Sequence, residues 1–190
     1  MRKPNVAALY EGQLSILATL PEIVRRTSSD TLETTLTDLL ARCLSAAGLP
    51  RGVIFLTDGD SELTPRAAFP SIPKGSLSGF APPADLLRTV MANEEPLRVV
   101  ASPTAAPLHR DLLQQLGAKS ILMVPVSTGT ERLGVLAVSS DQVMGEEWVS
   151  FVKAIGSHIG HVLVFARFDR SASSRASLSA SSAALRAVVS

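Results

Sequence analysis

His109 stands just ahead of a short amphipathic run in "PLHRDLLQQLGAKS". A histidine there can donate to a ligand carbonyl or carboxylate, or coordinate haem iron. A capping or surface histidine without chemistry is the plainer role for the same position. His158 and His161 in "GSHIGH" are three apart on a helical pattern, a spacing that lets two imidazoles share one metal. No acid or thiol lies near them in sequence, so no metal is expected. Gly156 and Gly160 in that stretch read as small residues that let the helix pack closely. Cys43 is the single cysteine, which excludes an intrachain disulfide and a cysteine-based zinc cluster. It sits in an apolar helical stripe and reads as a small buried hydrophobe. "GSLSG" lacks the strand-to-helix setting of a nucleophile elbow. No glycine-rich loop follows a strand and opens a helix, as phosphate binding would require. With no recognisable nucleophile and base, a non-enzyme is expected.

The elements that would hold these residues are legible from periodicity. A helix is expected over residues 5–26, with Leu9, Ile16, Leu20 and Ile23 on one stripe and Pro21 interrupting it. Asp30 and Glu33 resemble a capping box ahead of a second helix, in which Leu32, Leu36, Leu39, Cys43 and Ala47 recur at helical spacing. Gly48 and Pro50 end it. "GVIFLTD", the turn residues Asp58 and Gly59, and "ELTPRAAF" read as a β-hairpin. "FPSIPKGSLSGFAPP" is a Pro/Gly/Ser-rich loop able to fold over a site. A short helix in "PADLLRTVMANEEP", a short strand "LRVV", the helix carrying His109, two strands joined by "STGTE" and a long helix over residues 146–168 complete the order. In "ILMVPV" both alternating sets are apolar, Leu122, Val124 and Val126 against Ile121, Met123 and Pro125, so both faces of that strand must be covered. The class is α/β (α+β), with a mainly antiparallel sheet between helices.

Bulk properties narrow the partners. The chain has 190 residues, 46% of them hydrophobic, enough for one folded core. Its 18 basic and 17 acidic residues leave no basic stripe, so nucleic acid is not an expected partner. No stretch approaches the roughly 20 apolar residues of a membrane span. No signal-peptide pattern opens the chain, and a cytoplasmic location without membrane contact is expected. The end, "SASSRASLSASSAALRAVVS", is Ser/Ala-rich and reads as a linker or weak helix leading to a further domain.

Taken in this order, the elements resemble a GAF domain, the small-molecule-sensing and dimerisation module of many bacterial signalling proteins. The segments that carry the likeness are "GVIFLTD", "NEEPLRVV", "LGAKSILMVPVSTGTERLGVLAVSS" and the closing helix. The resemblance implies a sheet in the order 2-1-5-4-3, a ligand pocket on one face, and the first and last helices on the other. It divides the chain into an N-terminal helix (1–30), a GAF domain (31–169) and a linker or helix extension (170–190). Around His109 the sequence is most similar to phytochrome-type GAF domains, which hold a histidine against a bilin. Leu108 falls where many of them carry the attachment cysteine, so covalent bilin is excluded, and haem is not expected. GAF domains that reduce methionine sulfoxide need two exchanging cysteines, and this chain has one. The Asn-Lys-Phe-Asp-Glu signature of cyclic-nucleotide GAF domains is missing.

Two sets of site residues follow. Phe55, Leu86, Val90, Val99, His109, Leu112, Ile121, Met123 and Ser139 are expected to line a mainly apolar pocket. In the last helix, Trp148, Val152, Ile155, Ile159 and Val162 are assigned to the sheet. That leaves Phe151, His158, Leu163, Phe165 and Phe168 as surplus apolar surface. With Val6, Tyr10, Leu17 and Val24 of the first helix, His158, Leu163 and Phe165 are expected to form a homodimer interface. The function expected is a regulatory domain that binds a small ligand, dimerises, or does both, to control an output domain. The alternative is a degenerate GAF domain, its pocket filled by its own side chains, that only dimerises.

Overall fold

A computed structural model of the chain describes residues 32–57, 62–70, 82–129 and 131–188, with side-chain surroundings as far as residue 167. The expected first helix and its candidates Val6, Tyr10, Leu17 and Val24 lie outside the described residues. So do Asp30, the Asp58-Gly59 turn and most of the Pro/Gly/Ser-rich loop. The described order is α1 (Leu32–Ala47), β1 (Arg51–Thr57), β2 (Leu63–Phe69), α2 (Ala84–Asn93), β3 (Leu97–Val100), α3 (Pro107–Leu116), β4 (Ser120–Thr128), β5 (Glu131–Ser140) and α4 (Glu146–Val188).

The five strands form one sheet in the order β2-β1-β5-β4-β3, and every neighbouring pair is antiparallel. Both the order and the hairpins agree with the sequence expectation. Proline in β2 is tolerated because β2 is an edge strand, and Pro65 sits opposite Phe55 where the register shifts. Gly134 in β5 is required by close approach. A Cβ there would collide with the carbonyl of Phe55 on β1.

Alternation along the central strands builds two cores. Leu122, Val124 and Val126 of β4 with Leu136 and Val138 of β5 face α1 and α4. Ile121 and Met123 with Val135 and Ala137 face α2 and α3. Of the stripe expected in α1, Leu36, Leu39 and Cys43 are buried and Leu32 and Ala47 partly so, and Leu40 and Leu44 beside it are buried as well. Gly117 ends α3 in a left-handed conformation (φ 57°), where glycine carries no Cβ penalty.

The last helix corrects two sequence assignments. Phe151 and Leu163, expected on its outward side, are buried in the core with Val152, Ile155 and Ile159. The cause is geometric: Phe151, Ile155, Ile159 and Leu163 form a continuous i, i+4 row that lies on the sheet, whereas Trp148 is only partly buried beside it. Phe165 does face outward, at 54% exposure. Gly156 and Gly160 seat this row. A Cβ at Gly156 would come within 2.9 Å of the Pro125 carbonyl oxygen, and one at Gly160 within 2.6 Å of that of Ser127. The 22 residues Glu146–Arg167 are also long and apolar enough to cross a membrane, which corrects the expectation that no stretch approaches that limit. Half of their most apolar part is buried against the protein itself, as in the core helix of a soluble domain. The Ser/Ala-rich end continues α4 as helix to Val188.

Candidate functional site

The face of the sheet covered by α2 and α3 is where the pocket residues were expected. Strand register brings them together. Val99 on β3 pairs with Ile121 on β4, and Ile121 pairs with Ser139 on β5. Met123 lies one side-chain repeat further along, opposite Ala137. Phe55 arrives from β1 opposite Val135. Val90 comes from the buried stripe of α2, and Leu112 from that of α3.

These six apolar residues, Phe55, Val90, Val99, Leu112, Ile121 and Met123, are each at most 3% exposed and belong to one packed cluster. Leu87, Leu113 and Leu116 complete it from the two helices. Leu86 is partly buried at its margin. Ser139 is 2% exposed, in register with Ile121 and with Arg51 of β1. The Arg51 guanidinium donates to the carbonyl of Leu116 (2.6 Å), which satisfies one of the open carbonyls at the end of α3.

His109 is half-buried in the first turn of α3, three residues before Leu112. Its backbone N–H donates to Ala106 O at 3.0 Å, as helix initiation requires. Among the described residues its imidazole has no hydrogen bond or ion pair. Leu108 beside it is 49% exposed.

On α4, His161 donates from Nδ1 to the carbonyl of Ser157 one turn back (2.9 Å). His158 is half-buried, and burial lowers its pKa from the usual imidazole range, with His161 adding a smaller push in the same direction. No group of three or more His, Cys, Asp and Glu side chains is placed to hold a metal among the described residues.

A depression of about 450 Å³ lies away from the expected pocket, between α3 and the segment after β3. Ala101, Ser102, Pro103, Arg110, Leu113, Gln114 and Ala118 line it, none of them a residue named from the sequence. The sequence signal was present, since Arg110, Leu113 and Gln114 share a helix face at i, i+3 and i+4. It was overshadowed by the histidine one position earlier.

A family model described as GAF domain matches residues 31–163. No curated protein sequence is significantly similar to the chain. Among solved structures, the GAF domain from a phosphoenolpyruvate-protein phosphotransferase of Coxiella burnetii is 23% identical, with a TM-score of 0.62, covering 85% of this chain and 98% of that one. The phycocyanobilin-bound GAF domain from a cyanobacterial phytochrome is 17% identical, with a TM-score of 0.62 and coverage of 83% and 96%. Free methionine-R-sulfoxide reductase from Neisseria meningitidis is 17% identical, with a TM-score of 0.64 and coverage of 89% and 96%. At such identities these likenesses establish the fold, and the family match extends over most of the chain. The chain belongs to the GAF domain family.

Proposed function

We propose that this GAF domain is a regulatory, non-catalytic cytoplasmic module whose sheet face is closed by its own side chains. It acts through self-association of its helices and controls an output segment joined to α4. The supporting observation is the packing of Phe55, Val90, Val99, Leu112, Ile121 and Met123 into one cluster with almost no exposure. A site built to admit a ligand needs room among such residues. Here the six belong to one packed cluster with Leu87, Leu113 and Leu116.

The α4 helix fits the output role. Among the described side chains it is buried as far as Ala166, and the helix has 43 residues and spans about 65 Å at the usual helical rise. A two-fold arrangement of such helices would set both C-terminal ends side by side. Phe165, exposed on α4, is an apolar side chain that such an interface would cover. The methionine sulfoxide reductase likeness does not extend to chemistry, because a thiol exchange cycle needs two cysteines and Cys43 is alone.

The competing reading is a small-ligand sensor that uses the same face without a cofactor. Leu86, partly buried at its margin, and the half-buried His109 on α3 favour it, and the similar phytochrome domain binds phycocyanobilin. Urea denaturation of Met123→Ala and Leu112→Ala separates the two. A filled face predicts a loss of about 2–5 kcal/mol for each, as for other core truncations. Losses under about 1 kcal/mol for both would mean that these side chains line an open pocket, and would overturn the closed-face reading.

A further inference from the structure

The depression between α3 and the segment after β3 has the composition of a small binding site. Its walls are ordered. Ala101 N–H donates to Lys119 O (2.9 Å), Ala105 N–H donates to Ser102 O (3.1 Å), and the Ser102 hydroxyl lies 3.0 Å from that of Thr104. Its floor is apolar: Leu113 is buried, and Ala101, Pro103 and Ala118 add hydrocarbon. Two polar side chains at its wall are uncommitted. Among the described residues neither Arg110 nor Gln114 makes a side-chain hydrogen bond or ion pair, whereas Arg66, Arg88, Arg98, Arg132 and Arg167 all face a carboxylate.

We propose that this groove binds a small monocarboxylate with an apolar body, independently of whether the sheet face is closed. The planar guanidinium of Arg110 presents paired N–H donors that match a carboxylate in bidentate geometry. The groove has one lining cation, which fits a single negative charge better than a doubly charged phosphate. Leu113, Pro103 and Ala118 offer contact to a short alkyl or aryl body, and the Gln114 amide supplies one further donor and acceptor. The depression, about 450 Å³ and open to solvent, has room for a ligand of that size.

The test is titration of the full ¹⁵N-labelled chain with hexanoate and, separately, with hexanol, followed by amide shifts. Hexanoate is expected to give saturable shifts confined to residues 101–118. Hexanol should bind about tenfold more weakly, and Arg110→Gln should weaken hexanoate by a similar factor. Arg110 is exposed and, among the described residues, has no side-chain partner, so that variant is expected to keep the parent spectrum elsewhere. Equal responses to the acid and the alcohol, an unchanged affinity in Arg110→Gln, or shifts centred on Phe55 and Met123 would each overturn the proposal. So would saturable binding of an acetylated acidic tripeptide with no response to hexanoate, which would assign the groove to a protein segment.

Discussion

Cys43 is fully buried in α1, and its thiol is pushed up to about 12 by burial, partly offset by a backbone hydrogen bond. At any pH below 9 the folded chain therefore holds roughly a thousandfold less thiolate at this position than the unfolded chain. Reaction with a disulfide reagent should be slow in the native protein and fast in urea, and equal rates would contradict the burial. The same shift has a signed consequence for stability. The folded thiol titrates above the unfolded value of 9.0, so its contribution is constant below pH 9 and is lost as pH rises from 9 towards about 12. Melting temperatures across that window should fall less steeply for Cys43→Ala than for the parent chain. The buried-hydrophobe role was legible because Cys43 falls on the same helical stripe as Leu36 and Leu39. His109 was less legible: sequence places it at a helix start, but half-burial is decided by what packs there, and strand spacing cannot specify that.

At the scale of elements, glycine positions decide how closely β1, β5 and α4 approach. Gly134→Ala would drive a methyl into the Phe55 carbonyl on the neighbouring strand, and backbone cannot swing aside as a side chain can. A loss of about 3 kcal/mol, the upper part of the usual overpacking range, is expected in urea denaturation. Gly160→Ala meets the Ser127 carbonyl at 2.6 Å and should cost about 1–3 kcal/mol by pushing α4 off the sheet. Amide exchange in α4 should then accelerate ahead of exchange in β4, and uniform acceleration would argue against this docking role. The close packing of Gly156 and Gly160 was readable from their spacing. The facing row of α4 was not fully readable. Val152, Ile155, Ile159 and Val162 are buried as their stripe implied, but so are Phe151 and Leu163, because the covered face of α4 is wider than one stripe. That width depends on where the sheet lies, which helical periodicity does not encode.

For the whole molecule, the need for two covered faces was legible because β4 is apolar on both sides, whereas the sheet order followed only from the resemblance to the GAF family. What alternation cannot distinguish is a face covered by protein from one covered by a ligand, since both demand apolar residues. That is why Phe55, Val99, Ile121 and Met123, which share one cluster in the structure, were named as pocket residues while the state of that face stayed open between two readings. The apolar side chain that α4 leaves exposed at Phe165 makes self-association the other half of the account. Polar substitution of Phe165 should yield folded monomers, detectable by light scattering together with an unchanged far-UV spectrum. The most direct test joins both halves in one measurement: the native mass spectrum of the freshly purified full chain. The account predicts an assembly of two chains with no added mass. A bare monomer, or a constant extra mass per chain that persists in Arg110→Gln and so does not come from the groove, would contradict it.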